Sequence, residues 1–345
     1  MAATIAGGNN TFVPNPEATG GLQIEFARNA KDFALPNYVK YIPVKKTTGL
    51  WLEIGREQAA RVSSTGYDLA WQDAADAPTG NDNHESFEYK AYTTKRHAVP
   101  WRQGYLALDQ AEWDVWGMYD RLSAQRAMTL RTVQALTLAQ TTGSWPTAHT
   151  IDVTTISGVT GKWNVSTVAR TDIKRSLDYA IEQIILSTNG VAKEEDLQLV
   201  MGIGTAKKIS ECQEVIDYMK GSSVSLQRLR GEGSNVEFTL PNQLYNIPIV
   251  VERTVRVTSK ANATRAASFV MDEAKPMLVC RPGGLVGTEG VPEFSTLSLF
   301  IYEKDDMTVE TYDDERNRVR HGRIVDNFVP KVTAGVSGFL FQNVV

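Results

Sequence analysis

The sequence predicts an α+β fold, because strand-like and helical stretches fall in separate parts of the chain. Extended runs rich in β-branched and aromatic residues occupy 50–104. A stretch made almost entirely of good helix formers follows them, from 114 to 142. From 171 onward, a helix, a strand and a second helix precede several further strands, which indicates an additional layered unit.

The composition excludes several classes of protein. A chain of 345 residues exceeds one typical hydrophobic core, so two domains or one elaborated domain are expected. The net charge of −4 argues against a globally basic nucleic-acid binder but permits local basic surfaces. Cys212 and Cys280 belong to no CxxC pair, so neither a disulfide framework nor a structural zinc site is predicted. No segment has the pattern of a signal peptide or a membrane span.

The N-terminal residues predict an arm. Residues 1–21 are rich in Gly, Asn, Pro and Thr, a composition that buries little apolar surface. We therefore expect an ordered arm to need support from another part of an assembly. The following segment, 22–46, predicts a short helix or irregular stretch and then an extended one.

The region 50–104 predicts a long two-stranded excursion with a polar tip at 71–85. An isolated hairpin is marginal in water, so this one is expected to rest on another subunit, and folding onto its own domain is the alternative. The tip carries carboxylates without an obvious local basic partner, and we expect them to contact a neighbouring subunit. They are Asp73, Asp76, Asp82 and Glu85.

The helix predicted at 114–142 has no conventional solvent-facing side. Its arginines point in different directions, and no carboxylate follows Asp120 to pair with them. When the helix is projected at 100° per residue, Leu122, Thr129, Val133 and Leu136 lie along one line, whereas Met128, Ala135 and Ala139 lie outside it. Two explanations stay open: contacts on several sides, including an anionic surface, or burial with pairing to distant carboxylates. The arginines are Arg121, Arg126 and Arg131.

The second half of the chain begins with a helix, a strand and a helix. Thr171 is predicted to cap a one-faced helix that ends at Asn189 and Gly190. The apolar run 196–204 predicts a buried strand, and 205–220 predicts one continuous amphipathic helix. The inward side chains of that helix are expected to be Ile209, Cys212, Ile216 and Met219. Further strands are predicted between 246 and 314 and at the C-terminus.

The sequence contains no recognisable catalytic or metal site. Gly202 and Gly204 lie between a strand and a helix, but Lys207 stands where a dinucleotide fingerprint needs a small residue. Ser337 lies in GVSGF, which lacks the last glycine of a nucleophile elbow and precedes a strand. The four histidines show no metal-ligand spacing. We therefore predict no catalytic residue, cofactor or metal.

Charges of both signs alternate between 313 and 323. Such clusters are typical of solvated surfaces or of ion pairs between subunits. The candidate inter-subunit residues here are Glu315, Arg316 and Arg318.

The order of these parts resembles the major capsid protein of tailed bacteriophages, which has the Hong Kong 97 fold. The segment AYTTKRHAVPWRQGYLALDQAEW resembles the family's return strand into its long helix, and LQLVMGIGTAKKISECQEVIDYMKG resembles part of its A-domain. The resemblance implies an N-terminal arm at 1–49, an E-loop at 50–104, a P-domain at 105–170 with the spine helix 114–142, and an A-domain at 171–300. Residues 301–345 would supply P-domain strands and a last A-domain strand.

The resemblance also implies a function. A shell subunit of this family would assemble as pentamers and hexamers into an icosahedral capsid around double-stranded DNA, inside the bacterial host cytoplasm. The spine-helix arginines would face the shell interior and its neighbours. Scaffolding, portal and decoration proteins would be its partners, without a membrane. An encapsulin-type nanocompartment shell is the related alternative, and an α/β nucleotide-using enzyme is the alternative from another class.

Overall fold

The computed structural model describes residues 32–54, 87–111, 114–164, 171–220, 240, 242–260, 263–282 and 295–345. The arm predicted before residue 32 and the hairpin tip lie outside the described residues. The acidic tip residues Asp73, Asp76, Asp82 and Glu85 are therefore among those without a structural description.

The described strands form two large sheets and two two-stranded ribbons, β2-β3 and β9-β10. The helices are α1 Leu35–Tyr38, α2 Tyr105–Asp109, α3 Val115–Ala139, α4 Asp172–Ser187, α5 Ile203–Ser210 and α6 Gln213–Lys220. The strands are β1 Lys40–Val44, β2 Thr48–Ile54, β3 Phe87–Thr93, β4 Lys95–Gly104, β5 Thr150–Asp152, β6 Leu197–Gly202, β7 Gln243–Leu244, β8 Ile247–Glu252, β9 Val255–Val257, β10 Ala267–Phe269, β11 Met277–Cys280, β12 Leu297–Tyr302, β13 Thr308–Asp314, β14 Val319–Val332 and β15 Phe339–Gln342.

The first sheet is organised around β14, which is 14 residues long. One edge of β14 pairs with β12 and with β13, and its other edge pairs with β4. Strand β1 joins this sheet by pairing in parallel with β12. Residues 40–44 and 95–104, which the sequence analysis assigned to the arm 1–49 and the E-loop 50–104, are strands of this sheet.

Helix α3 lies on one face of this sheet, against β14 and β4. Asp114 caps it by accepting a 2.8 Å hydrogen bond from the Gly117 amide. The buried stripe consists mostly of small and apolar residues, which allow a close approach to the strands. It includes Ala127, Met128, Thr132, Ala135, Leu136 and Ala139. The projection from the sequence placed several of these residues outside the main line, so it did not identify this stripe as the buried face. Alanine contributes little to hydrophobicity and yet packs closely against strands.

The second sheet has the order β5-β15-β11-β6-β8-β7, and helices α4, α5 and α6 contribute to its core. Strand β6 is buried at every position, as its apolar run predicted. Helix α4 ends at Ser187, and Asn189 and Gly190 follow shortly after it with positive φ, which confirms the predicted stop. The helix predicted at 205–220 is two helices with a break at Glu211 and Cys212, so Val215 rather than Ile216 is fully buried.

The two sheets share a hydrophobic core at their junction. Helix α1 contributes Leu35 and Tyr38, which pack with residues from both sheets. The Tyr38 hydroxyl donates a 2.7 Å hydrogen bond to the buried carboxylate of Glu252 at the end of β8. The Gln140 side chain, just after α3, bonds the backbone of Asp272 through both its amide nitrogen and its oxygen. These contacts fix the long helix relative to the second sheet.

Candidate assembly surfaces

Arg131 is a buried member of an ion-pair network. Its side chain is 3% exposed and makes two hydrogen bonds to Asp326 on β14, at 2.7 Å from Nε and 2.6 Å from Nη2. The carboxylate of Asp326 is 2% exposed, whereas Asp306, which also pairs with Arg131, is 52% exposed. The two carboxylates raise the pKa of the guanidinium against the opposing effect of burial, which is the largest single influence. The network ties α3 to the first sheet.

The expectation that Arg131 faces a neighbour or the genome was wrong. The alternative from sequence, pairing with a distant carboxylate, holds for this residue, since Asp326 lies 195 positions later. Arg121 and Arg126 differ, because both side chains are exposed on α3. At 100° per residue Arg126 lies on roughly the opposite side of the helix from the buried stripe, so it faces away from the sheet. These two arginines remain candidates for contacts outside the subunit.

The β2–β3 hairpin has one anchored face and one exposed face. Trp51 and Tyr92 point to the sheet and stack on Phe300 of β12, with ring centroids 5.6 Å and 4.6 Å away. The Tyr92 ring lies directly over Gly49, where a β-carbon would sit 2.5 Å from its hydroxyl. Alternate residues of the strands point the other way. Those exposed side chains are Leu50, Leu52 and Tyr89, at 64%, 44% and 66%.

The turn between β13 and β14 carries the predicted charge cluster at its tip. Glu315, Arg316 and Arg318 are all exposed there, and Arg318 has a positive φ. The carboxylates and arginines on the strands below pair within the chain, as in the 3.1 Å contact between Arg320 and Asp313. The pKa of the Asp314 carboxyl is lowered by hydrogen bonds from Asn317. The tip is thus a solvated ion-pair surface that a neighbouring molecule can reach.

The glycine turn at 202–204 does not form an open phosphate site. A phosphate would have to sit on the amides at the start of α5. The Glu273 carboxylate lies beside this turn, close enough that a β-carbon on Gly204 would collide with it. Glu273 also pairs with Lys208 at 3.1 Å. A carboxylate of the protein itself thus lies next to Gly204, where it would repel a phosphate, and this weakens the case for a nucleotide enzyme.

Other buried polar groups connect elements of the second sheet's domain. Glu214 on α6 accepts hydrogen bonds from the amides of Ile173 and Lys174, each 2.9 Å long, and from the Tyr245 hydroxyl. It thereby caps α4, for which the predicted cap Thr171 makes no side-chain bond. Burial and Glu214 together raise the pKa of Tyr245.

Two features typical of metalloproteins and membrane proteins are absent from the described part of the chain. No group of three or more potential metal ligands occurs among the described residues. Within those same ranges, no helix is long and apolar enough to cross a membrane.

The β9–β10 ribbon is a surface that the sequence analysis did not single out. Nearly every described residue of its two strands and their connection is exposed. Residues 253–271 contain three arginines and one lysine but no carboxylate, which the sequence could have revealed. Register places Val255 opposite Phe269 and Val257 opposite Ala267, so one face of the ribbon is apolar.

Comparisons with known proteins show which structures share this architecture. No protein-family model matches the sequence, and no curated protein matches it either. A crystal structure of a phage-related protein from Bordetella bronchiseptica RB50 is similar at a TM-score of 0.58, with 14% identity over 92% of this chain and 94% of that one. The capsid structure of the cyanophage P-SCSP1u is similar at a TM-score of 0.56, with 13% identity over 94% and 91% of the two chains.

This chain has the fold of phage capsid proteins. The same fold occurs in the holo-SrpI encapsulin complex from Synechococcus elongatus PCC 7942, which is similar at a TM-score of 0.52, with 9% identity and 96% coverage of both chains. The predicted α+β class and capsid fold are therefore confirmed.

Within the capsid fold, the predicted site residues do not converge on one site. Arg121 and Arg126 lie on α3, while Glu315, Arg316 and Arg318 lie at the tip of the β13–β14 hairpin. These positions lie on separate elements of the subunit. No catalytic constellation connects them among the described residues.

Proposed function

We propose that this protein is the major capsid protein of a tailed phage. The observation that carries the proposal is the match of almost the whole chain, in both directions, to a phage capsid structure. The exposed apolar ribbons support it, because side chains such as Leu50 and Tyr89 are costly to leave in water on an isolated subunit. The role is structural and non-enzymatic.

Copies of the chain assemble with one another in this proposal, as hexamers and pentamers of an icosahedral shell. The shell encloses double-stranded DNA, which it contacts without sequence preference, and forms in the cytoplasm of the bacterial host. Scaffolding, portal and decoration proteins complete the particle. A net charge of −4 fits a container that does not hold its genome tightly, since many phosphate contacts would make DNA binding strong and salt-dependent.

Exposed charges have defined roles in this shell. Arg121 and Arg126 face the interior or a neighbouring subunit, and Glu315, Arg316 and Arg318 pair across a subunit boundary. The acidic hairpin tip contacts a neighbour through Asp73, Asp76, Asp82 and Glu85. Each such contact is weak alone, at about 0.2 to 1 kcal/mol, but is repeated in every copy of the subunit.

Negative-stain microscopy of the purified chain tests the proposal. Closed shells or ring-shaped capsomers are expected, and a clean monomer or dimer would argue strongly against assembly. Nuclease-protected DNA inside particles from infected or expressing cells distinguishes a phage capsid from an encapsulin shell, which would enclose a cargo protein. The encapsulin function remains a second candidate because the holo-SrpI encapsulin complex shares the fold.

A charge-reversal variant tests the role of the hairpin tip. Asp73→Lys with Asp76→Lys is expected to lower particle yield while the circular dichroism spectrum of the subunit stays unchanged. Glu195→Lys is the control, since Glu195 is a highly exposed carboxylate in the turn before β6 that pairs with the nearby Lys193. A normal particle yield from the tip variant would show that the hairpin tip does not contribute to the interface between subunits.

A further inference from the structure

The first sheet has two open edges where it is three strands wide. From Val319 to Val325, β14 lies between β13 on one side and β4 on the other. Gly322, for example, stands opposite both Thr311 of β13 and Trp101 of β4. Among the described strands, neither β13 nor β4 has a second neighbour. Each strand therefore has one uncovered edge, and we call these the β13 edge and the β4 edge.

The two edges carry opposite charge. Strand β4, KRHAVPWRQG, contains Lys95, Arg96 and Arg102 but no carboxylate. Strand β13, TVETYDD, contains three carboxylates but no lysine or arginine. They are Glu310, Asp313 and Asp314. Because β14 separates the two strands, one edge of the sheet is basic and the other edge is acidic.

The cations of β4 divide into one that is paired within the chain and two that are not. Arg96 reaches across β14 to the carboxylates of Glu310 and Asp305, at 3.5 Å and 3.4 Å. This contact shows that a cation of β4 and a carboxylate of β13 attract each other when they can meet. Lys95 and Arg102 are exposed and form no ion pair with any described residue. Both can therefore pair with carboxylates of another molecule.

The β13 edge is suited to such a cation in two ways. Its own ion pairs are solvent-exposed, as in the 3.1 Å contact of Asp313 with Arg320, whose side chains are 48% and 44% exposed. Exposed pairs contribute at most about 1 kcal/mol, so these carboxylates can be shared with a second cation. The strand also exposes 60% of Tyr312, a ring that can bind a guanidinium on its face. A second β13 edge is excluded as the partner, because like charges would face each other.

The β4 edge of a second copy has the charge that the β13 edge requires. We propose that the β13 edge of one copy docks on the β4 edge of the next copy, with Arg102 placed among the carboxylates of β13 and beside Tyr312. The two edges of one chain cannot meet, since β14 lies between them. Pro100 lacks an amide hydrogen, so side chains rather than a continuous backbone ladder make this contact.

This contact is heterologous, because each copy presents one edge and receives with the other. Heterologous contacts close into rings when the rotation between copies allows it, as capsomers require. The inference rests on the proposed shell function and assigns one of the contacts between its subunits.

Cross-linking between separately prepared variants tests the contact. Ala98 and Thr308 both stand opposite Val325, so they lie at the same level and on the same face of the sheet. Ala98→Cys and Thr308→Cys subunits are mixed before assembly, so any bond that joins them connects two copies. The native thiols of Cys212 and Cys280 are buried and do not compete for a short bismaleimide.

The control for cross-linking replaces Ala98→Cys by Ala148→Cys. Ala148 is likewise an exposed alanine, but it lies just before β5 of the second sheet. We expect about tenfold more mixed dimer with Cys at 98 than with Cys at 148, because docking raises the effective concentration of the two thiols.

A charge exchange provides an independent measurement. Arg102→Glu and Thr311→Lys are each expected to lower particle yield, because each places like charges across the contact. Their combination in one chain is expected to restore the yield. The control combines Thr311→Lys with Lys207→Glu, which reverses an exposed cation on α5 and is not expected to restore it. All three positions are outside the core, so circular dichroism of the subunit should not change.

The outcomes separate the inference from the proposed function. Particles from the unmodified chain without enhanced cross-linking at 98 would overturn the edge contact and leave the shell function standing. The same conclusion would follow if the combined variant assembled as poorly as the single ones. Loss of packaged DNA at normal particle yield in Arg102→Glu would also overturn the contact, since the β4 edge would then face the genome. Absence of any particles from the unmodified chain would overturn both.

Discussion

Removal of Arg131 should destabilise the subunit far more than removal of Arg126, although both lie on the same helix. Arg131→Gln leaves the carboxylate of Asp326, which is 2% exposed, without its cation. Breaking a buried pair of this kind costs about 3 to 5 kcal/mol. Asp306 is half exposed, so the loss of its pairing adds less than about 1 kcal/mol. The exposed Arg126→Gln should change the free energy of unfolding by no more than about 0.5 kcal/mol.

Urea unfolding of the unassembled subunit, followed by tryptophan fluorescence, measures this difference. With a slope of about 3 kcal/mol per molar urea, the Arg131→Gln midpoint should fall by roughly 1 to 1.7 M. The double variant Arg131→Met with Asp326→Leu should recover most of the loss, because it leaves no buried charge uncompensated. Equal midpoints for Arg131→Gln and Arg126→Gln would refute the assignment of Arg131 to the subunit core.

Further predictions concern the caps and close contacts. Glu214→Gln should lower subunit stability by about 1 to 2 kcal/mol in urea unfolding, because α4 loses its charged cap, whereas the exposed Glu211→Gln should have almost no effect. Burial beside Glu252 raises the pKa of Tyr38, so the folded chain keeps a proton that the unfolded chain releases above pH 10. The contribution of Tyr38 to stability is therefore fully present below pH 10 and should fall by about 1.4 kcal/mol per pH unit above it, and Tyr38→Phe should reduce the alkaline slope by that amount. Gly338→Ala should cost about 1 to 3 kcal/mol, since its β-carbon would lie 2.9 Å from the Leu278 carbonyl oxygen.

Each of these predictions has a result that contradicts it. Equal stabilities of the Glu214→Gln and Glu211→Gln variants would show that the Glu214 cap does not stabilise α4. An unchanged alkaline slope in Tyr38→Phe would mean that other groups dominate the loss of stability. A Gly338→Ala variant as stable as the parent would show that the backbone around β15 moves easily to make room.

Local patterns in the sequence predicted the regular elements well. The long helix begins and ends within three residues of the predicted 114–142, because few helix-breaking residues interrupt it and Asp114 is a good N-cap. Strand β6 followed from its continuous apolar run, and the end of α4 followed from Asn189 and Gly190. Each of these features depends on neighbouring residues in the chain.

Features that depend on distant residues were not predicted. The pairing of 95–104 with β14 joins segments more than 200 residues apart, so the sequence showed a strand but not its partner. The cation Arg131 meets its carboxylate 195 positions later, and Glu214 caps a helix about 40 positions earlier. The charge pattern of the sequence indicated some of the candidate surfaces. Only the folded structure shows that the β9–β10 ribbon is exposed.

The central claim is that many copies of this chain build a closed shell, and cryo-electron microscopy of the assembled full-length protein tests it most directly. We expect a closed particle whose density holds this fold in rings of six and five subunits, with neighbouring copies in contact through their hairpins. Particles without such rings, or a protein that stays monomeric or dimeric under all assembly conditions, would contradict it.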